Sequence, residues 1–514
     1  MEVDRVFPLP LTAWERCMMR DDRPRYPMTF VISLEVSGTL QRVALEDSLK
    51  STLQRHPLLR SRVARTRFGR WCWVLMDGDS SPIDWAEADV PLRPAREFMD
   101  LTQEPGLRVW VREGIERSRL TFQFHHAATD GLGGTQFLGD LLAAYGQATA
   151  LPGEEVPVLQ PVDPARLRLR GDFGSRHLGT WRQRLADIAL FLQEVWQLLA
   201  RPTQPLAGHD RTDVEREIAF PAILTRRLNR QETIALREVA TKKQVSPNDL
   251  YLREMFLTLQ DWNRSHGVNQ PDHWLRVGMP MSMRTERHDA MSSANVMSVY
   301  FLARQFRAPM DAEKLLRDLH RQTDHIVNHR LGWFFTTAIE WASRIPGAMN
   351  VAFSDHRCVA TATLANVGDI RRQMSAWFPR KRGKLVVGNL VLEGFEGAGP
   401  VRPQTLAAIS LGNYTGELIV NLHPDVWRWS NADANEFLDQ FVSRLRAVTG
   451  GGSREQSLHE QSLVMDDRSP DSHTGSIQRV DCGPHTVPEG QAASPHFLNL
   501  PAEQVAPAVA ENDE

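Results

Sequence analysis

The stretch that most constrains the fold of this chain runs from residue 118 to residue 145 and reads SRLTFQFHHAATDGLGGTQFLGDLLAAY. Its first part alternates apolar and polar side chains, which is typical of a β-strand with one buried face. Because successive side chains of a strand point to opposite faces, Leu120 and Phe124 share a face, and His126 continues that series. The adjacent His125 belongs to the opposite face. The pattern therefore predicts one imidazole at the end of an apolar wall.

The residues after this strand predict a tight loop and then a helix. Small residues precede Asp130 and Gly131, and a glycine-rich start leads into a run with Phe137, Leu141 and Tyr145 on one side. Asp130 suits the N-cap position, because its carboxylate can accept hydrogen bonds from the free amides of the first helical turn. A strand, a loop and a helix in this order indicate an α/β fold with an imidazole at their junction.

His126 is the candidate catalytic residue of this segment. An imidazole has an unperturbed pKa near neutrality, so it can remove a proton from a hydroxyl or an amine that attacks a carbonyl carbon. One alternative is an ordinary core histidine, and another is a metal site made of His125, His126 and Asp130. Adjacent residues of an extended strand do not easily bind one ion, and no other His or Cys cluster has ligand spacing, so we expect no metal.

Composition is that of an ordinary globular protein. The 514 residues include 60 Lys and Arg against 63 Asp and Glu, and this balance disfavours a protein built around nucleic-acid binding. The four cysteines lie far apart without a CxxC pair, so we expect free thiols in a reducing compartment. The chain starts without a signal-peptide pattern, and no apolar run approaches the roughly 18–20 residues of a membrane span. We therefore expect a cytoplasmic protein.

Helix and strand patterns divide the chain into two α/β halves. We predict an N-terminal lobe over residues 1–165 and a C-terminal lobe over residues 216–448, joined by a helical segment at 166–215. Residues 181–200 in that segment have a broad apolar face and a basic flank, which leaves peripheral membrane contact open. Residues 449–514 contain few large apolar side chains and are predicted to be disordered. The clearest elements of the two halves are strands at 29–36, 275–279, 295–303 and 418–422, and helices at 40–53, 223–244, 250–262 and 432–448.

The segment HHAATDG at 125–131 resembles the HHxxxDG signature shared by three groups of enzymes. These are the chloramphenicol acetyltransferases, the condensation domains of nonribosomal peptide synthesis, and the bacterial wax ester synthase/diacylglycerol acyltransferases. Further segments that resemble this superfamily are RHPLLR at 55–60, GMPMSMR at 278–284 followed by Asn295, and NYTGEL at 413–418. The resemblance covers roughly residues 5–448, and only the predicted tail lies outside it.

This resemblance implies two chloramphenicol-acetyltransferase-like lobes in a V, with a tunnel in which a donor pantetheine and an acceptor meet. By position it makes His126 the general base, and His125 and Asp130 complete the catalytic group of the motif. It also implies that Asp130 pairs with Arg284 or, alternatively, with Arg60.

The same resemblance assigns further residues to substrate or pantetheine binding. Gly131 is expected to leave room for pantetheine, and Arg284 lies beside it as the partner of Asp130. Ser282 and Asn295 are expected to line the tunnel or to donate to the developing oxyanion. Relatives have a strand that crosses between the lobes, and residues 360–367 match it loosely.

The implied activity is transfer of an acyl group from a pantetheine thioester to an alcohol or an amine, with ester formation slightly ahead. Acyl-CoA or an acyl carrier protein would be the donor, a small molecule or a lipid the acceptor, and no cofactor is implied. We expect a monomer and no nucleic-acid partner. A free-standing amide-forming condensation enzyme and a non-catalytic partner-binding protein remain alternatives. A basic cluster between Arg371 and Lys384 could meet CoA phosphates, an acidic carrier protein or an anionic membrane, or could be a solvated loop.

Overall fold

The computed structural model describes most of the chain up to residue 450. The described ranges are 5–76, 82–92, 97–173, 196–197, 200–211, 220–268, 270–305, 309–328, 332–352 and 354–450. The predicted tail beyond residue 450 and nearly all of the predicted helix at 181–200 lie outside these ranges. Among the described residues, no helix is long and apolar enough to cross a membrane. Cys17, Cys72 and Cys358 are free thiols, as predicted.

Sixteen strands of the described chain form three sheets. The strands are β1 (Leu9–Pro10), β2 (Thr29–Ser37), β3 (Ser61–Arg65), β4 (Trp71–Leu75), β5 (Ile83–Glu87), β6 (Leu107–Glu113), β7 (Arg117–His125), β8 (Leu224–Leu228), β9 (Trp274–Ser282), β10 (Met297–Gln305), β11 (Ala362–Asp369), β12 (Arg380–Lys381), β13 (Lys384–Val387), β14 (Leu390–Ala398), β15 (Ala407–Tyr414) and β16 (Glu417–Pro424). A seven-stranded sheet has the order β12-β13-β14-β2-β7-β6-β5, and a six-stranded sheet has the order β10-β9-β11-β15-β16-β8. The third sheet is small, with the order β1-β4-β3.

Ten α-helices of the described chain accompany these sheets. They are α1 (Ala13–Asp21), α2 (Arg42–Arg55), α3 (Gly131–Thr149), α4 (Arg230–Lys242), α5 (Pro247–Ser265), α6 (Ala312–Asn328), α7 (Trp333–Ala342), α8 (Ala348–Ala352), α9 (Ile370–Gln373) and α10 (Asn431–Val448). Helix α2 packs against α3, and α5 packs against α6 and α10, so each large sheet has its own layer of helices. Mixed sheets with such layers confirm the predicted α/β class.

Local sequence explains where several helices begin. Ser246 caps α5 by accepting from the backbone of Asp249, and Pro247 occupies the first helical position, where its missing N–H costs nothing. Ser430 forms the same kind of capping box with Asp433 at the start of α10. These starts explain why both helices were predicted within a few residues of their observed bounds.

The predicted helix at 223–244 is wrong in its first part. Residues 224–228 form strand β8, which pairs with β16 in antiparallel register at the edge of the six-stranded sheet. The helix α4 begins only after Asn229, whose side chain accepts from the backbone N–H of Glu232 in a capping box. Pairing with a distant strand decided the conformation of 224–228, and periodicity along the chain cannot reveal such pairing.

The crossing strand between the two halves lies elsewhere than the sequence suggested. Residues 362–369 form β11, which lies inside the six-stranded sheet between β9 and β15. Instead, β14 pairs with β2 and so carries residues 380–398 into the seven-stranded sheet of the N-terminal half. The predicted boundaries of the C-terminal lobe at 216–448 stay predictions, although residues 380–398 join the sheet that contains β2. The exchange ties the two halves together through backbone hydrogen bonds.

Candidate active site

A cavity of about 970 Å³ borders both large sheets and contains the predicted site. The N-terminal half contributes Phe30 from β2 and His126, which follows β7. The C-terminal half contributes Ser282 at the end of β9 and Ile409 in β15. A cavity of this volume lies within the usual range for sites that bind small molecules.

His126 lies at the end of the apolar wall that the sequence predicted. Its backbone N–H donates to the carbonyl of Met28 at 2.8 Å, which holds the residue just beyond the last strand position. The ring packs on Phe30 with 5.1 Å between centroids, and Phe30 stacks on Phe124. Asn295 Nδ2 donates to the His126 carbonyl at 2.6 Å and lies 3.3 Å from the ring Nδ1. Nδ1–H donates to the backbone carbonyl of His126 itself, so the neutral ring carries its proton on Nδ1, and Nε2 keeps the lone pair for a substrate.

Burial lowers the pKa of His126 from 6.5 to about 4, because the charged imidazolium loses hydration in the wall of the cavity. The Asp130 carboxylate and a hydrogen bond to the backbone carbonyl of His126 itself oppose this shift only in part. The imidazole is therefore neutral throughout the physiological pH range. A neutral imidazole is the form that can accept a proton.

A pH profile tests this assignment. If neutral His126 acts as the base, kcat/KM with an alcohol acceptor should stay flat from pH 8 to about pH 5 and fall only near pH 4. A free histidine would give an inflection near 6.5. The shift also has a sign for stability: the depressed pKa favours the fold above pH 6.5, and this contribution is lost as the pH falls toward 4. An inflection of kcat/KM near pH 6.5, without a matching change in the stability profile, would contradict the assignment.

His125 has a different position from its neighbour. Its ring is buried away from the cavity, where Nε2 contacts the Asp22 carboxylate at 3.1 Å and Nδ1 accepts from the Ala127 N–H at 3.0 Å. These contacts require the proton on Nε2. Asp22 in turn accepts from the N–H of Met28. The carbonyl of Met28 is the group that accepts from the His126 N–H. The motif groups His125 with the catalytic residues, whereas its contacts here suit a residue that positions His126.

Asp130 is surrounded by donors from both halves of the protein. Arg284 reaches it with two hydrogen bonds of 2.8 and 2.9 Å, and the backbone N–H groups of Gly133 and Val296 donate at 2.8 Å each. Burial alone would raise the pKa of this carboxyl, but the Arg284 charge and these hydrogen bonds outweigh it, so the pKa is lowered. Of the two predicted partners for Asp130, the structure has Arg284 and not Arg60.

Comparisons with known proteins place this geometry in context. No family model matches the chain. An uncharacterized protein from Mycobacterium tuberculosis is 25% identical over 380 residues, which are 70% of this chain and 83% of that protein. Among solved structures, a trichothecene 15-O-acetyltransferase from Fusarium sporotrichioides superimposes with a TM-score of 0.60 and 11% identity, over 85% of this chain and 95% of the other. The starter condensation domain of rhizomide synthetase, as a mutant in complex with C8-CoA, has a TM-score of 0.58 and 14% identity, over 86% and 94%.

The chain has the condensation-domain fold. The resemblance that the HHAATDG segment suggested is thereby confirmed at the level of the fold. In the condensation fold of this chain, the motif lies where β7 meets α3, at the border of the interlobe cavity.

Gly131 and Gly133 have different surroundings, although both lie in the first turn of α3. A methyl group at Gly131 would meet only Val367 Cγ1, at 3.9 Å, because this position borders the cavity. A methyl group at Gly133 would lie 2.3 Å from Thr129 Oγ1 and 2.8 Å from the Ala294 carbonyl oxygen. The space predicted at Gly131 is therefore present, whereas Gly133 is the position that close packing requires.

These two glycines make a matched pair for mutagenesis. Gly133→Ala should lower the free energy of unfolding by about 1–3 kcal/mol, because the Ala294 backbone cannot move away cheaply. Gly131→Ala should change it by less than about 0.5 kcal/mol, since the new methyl group meets no close neighbour. Urea denaturation of both variants measures the difference. Equal losses for the two substitutions would contradict the described packing of α3.

Ser282 also borders the cavity, as the condensation fold suggested. Its hydroxyl oxygen accepts from the Arg284 N–H at 3.3 Å, and among the described residues its own proton has no acceptor. Asn295, by contrast, donates from Nδ2 to the His126 carbonyl, and its Oδ1 accepts from the Met297 N–H at 3.3 Å. The structure therefore brings both residues to the motif but gives them different tasks.

A buried network that the sequence reasoning missed supports this site. His56 Nε2 contacts the Asp140 carboxylate at 3.1 Å, and its Nδ1 accepts from the Ser293 N–H at 2.8 Å. Arg55 adds a 2.9 Å hydrogen bond to the same carboxylate, and these bonds lower the pKa of Asp140 against its burial. The network joins the N-terminal half to the segment that carries Asn295. The RHPLLR segment was the available signal, but its sequence does not reveal the partners.

Proposed function

We propose that this chain transfers an acyl group from a pantetheine thioester to an alcohol or an amine, with His126 as general base. The observation that carries the proposal is a neutral imidazole, with its Nδ1 proton donated to its own backbone carbonyl, at the border of a cavity of about 970 Å³ on the condensation fold. The fold alone does not imply an activity, whereas the arrangement of this site supports acyl transfer.

The reaction proceeds in two stages, addition of the acceptor and collapse of the tetrahedral intermediate. Nε2 of His126 removes the proton of the acceptor as its oxygen or nitrogen attacks the thioester carbonyl carbon, which gives a tetrahedral oxyanion. Collapse of this intermediate breaks the C–S bond, and the imidazolium returns the proton to the departing thiolate. The hydroxyl of Ser282 is the proposed donor to the oxyanion, because its proton has no other acceptor among the described residues.

We propose acyl-CoA or an acyl carrier protein as the donor, and ester formation ahead of amide formation. Two proteins with the same fold support this choice, since one is a 15-O-acetyltransferase and the other forms a complex with C8-CoA. The sequence relative from Mycobacterium tuberculosis adds no substrate, since it is uncharacterized. Small alcohols and lipid alcohols are therefore the first acceptors to test, followed by amines.

The experiment combines purified protein with acyl-CoAs of short and long chain, a panel of alcohols and amines, and a thiol reagent. Release of free thiol that depends on the acceptor, together with the mass of the acylated product, would support the proposal and identify the substrates. The same panel is then run with a carrier-bound acyl group. If neither donor yields an acylated product, the proposed activity is wrong, and a partner-binding protein on this fold becomes the better hypothesis.

A further inference from the structure

Four exposed cations lie in the segment between β11 of the six-stranded sheet and β13 of the seven-stranded sheet. We call them the cationic rim: Arg372 on α9, Arg380 and Lys381 on β12, and Arg382 in the following turn. None of the four forms an ion pair with a described residue. Because no carboxylate of a described residue neutralises them, they form an unbalanced patch on a chain whose overall charge is near zero.

The two other cations of this segment are neutralised. Arg371 makes a 2.8 Å ion pair with Asp369, and Lys384 pairs with Glu393. Arg371 also donates to the carbonyl of Gly383 at 3.3 Å, which fastens the turn of the hairpin to α9. The paired cations therefore hold the rim together, and the four rim residues are left to meet an anion.

The hairpin that carries three of the four rim residues contains two destabilising features. Lys381 and Lys384 are cross-strand partners, an arrangement of like charges that destabilises a hairpin. The two turn residues between them, Arg382 and Gly383, have φ angles of 53° and 81°. Such a turn favours Asn, Asp or Gly at both positions, and an arginine there is strained. A bound anion would offset both the repulsion and the strain.

A continuous path joins Arg372, one of the four rim residues, to the motif. Arg372 lines the cavity together with Asp369 and Val367, which come just before it in the chain. Val367 Cγ1 lies 3.9 Å from the position of a side chain at Gly131, at the start of α3. The same cavity is bordered by His126. A ligand whose anionic end stays at the rim can therefore extend past Gly131 to the imidazole.

We propose that the cationic rim binds the phosphate groups of the thioester donor and marks the entrance through which its pantetheine arm reaches His126. The inference rests on the proposed function and names the donor class that the site recognises. Guanidinium groups suit this task, since they donate planar pairs of hydrogen bonds to phosphate oxygens. The phosphate could belong to free CoA or to the phosphopantetheine of a carrier protein, and the ligands below distinguish these two sources.

The test compares two triple variants of equal charge change by isothermal titration calorimetry. One variant is Arg380→Gln/Lys381→Gln/Arg382→Gln in the rim. The control is Arg65→Gln/Arg67→Gln/Arg70→Gln, which removes three exposed arginines near the turn between β3 and β4, none of which lines the cavity. The ligands are CoA, 4′-phosphopantetheine and pantetheine, so that phosphate is removed stepwise from the same arm.

The rim variant should bind CoA about tenfold more weakly than the natural protein, with a shallower dependence on salt, because three screened charge contacts are lost. Its affinity for pantetheine should not change, and the control variant should match the natural protein. If only CoA binding weakens, free CoA is the donor that the rim recognises. If CoA and 4′-phosphopantetheine weaken equally, the phosphate of a carrier-bound arm is the recognised group.

Three results would overturn the inference: equal CoA affinity in the two triple variants, equal weakening for pantetheine, or no CoA binding by the natural protein. These outcomes are separable from failure of the proposed function, because binding is measured without turnover. A protein that binds CoA through the rim but acylates no acceptor would contradict the proposed activity alone. Transfer with an unchanged KM in the rim variant would contradict the rim alone.

Discussion

Replacement of His126 by alanine is expected to lower the rate of acyl transfer by about 10²–10⁴-fold. The loss follows because no other described residue presents a neutral imidazole at this part of the cavity wall, and the acceptor would then have to lose its proton to water. KM for the thioester should change little, since the proposed path of the pantetheine arm runs past Gly131 and does not depend on the imidazole. Single-turnover thiol release with a fixed acceptor measures this effect.

Two companion variants make the result specific. His209→Ala replaces an exposed histidine outside the cavity and should leave the rate unchanged. Asn295→Ala removes the hydrogen bond to the His126 carbonyl, so it should lower kcat by a smaller factor than His126→Ala. Activity of His126→Ala within a few-fold of the natural protein would show that another group is the base. Rates lowered equally in His209→Ala would point to a general loss of folded protein.

Separation of Asp130 from Arg284 is expected to destabilise the protein by about 3–5 kcal/mol, the cost typical of breaking one partner from a buried pair. The Asp130 side chain is almost fully buried and holds Arg284 through two hydrogen bonds, so either Asp130→Asn or Arg284→Met leaves an uncompensated polar group. The free energy of unfolding from urea denaturation at pH 7 is the measurement. Both variants should still fold in the absence of urea, but they should unfold at a clearly lower urea concentration than the natural protein.

The control is another bidentate pair that differs mainly in exposure. Arg226 binds Asp439 with hydrogen bonds of 2.7 and 3.1 Å, but both side chains are substantially exposed. Asp439→Asn should therefore cost about 0–1 kcal/mol, because water screens this pair. The double variant Asp130→Asn/Arg284→Met should lose less than the sum of the two single variants, since both unpaired groups are removed together. Equal losses for Asp130→Asn and Asp439→Asn would contradict a structural role for the buried pair.

Elements with a strong local pattern were predicted close to their observed bounds. The alternating run that begins at residue 118 forms a strand over 117–125, and the strand predicted at 29–36 extends over 29–37. The helix predicted at 223–244 is wrong at its start, where residues 224–228 form a strand. The apolar and polar side chains there alternate too weakly to indicate pairing with β16. The difference is physical: periodicity reports which face of an element is buried, but not which distant strand supplies its hydrogen bonds.

Within the site, the roles of the two histidines were separable from sequence, whereas their contacts were not. Alternation along β7 placed His126 on the wall and His125 on the other face, and both positions agree with the structure. The partner of Asp130 needed the resemblance to a known family, since Arg284 lies 154 residues further along the chain. The link from His56 through Ser293 to the segment of Asn295 had no sequence signal that named its partners.

The sequence by itself therefore determined the α/β class, the strand–loop–helix unit around HHAATDG, and the residue that presents its imidazole to the cavity. These features depend on side-chain alternation and helix capping, which act over a few residues. Only the tertiary structure decided that β14 joins the N-terminal sheet, that Arg284 binds Asp130, and that Arg372 lies at the cavity. Each of these brings together residues far apart in the chain, and such contacts form only when the two halves pack and share a sheet.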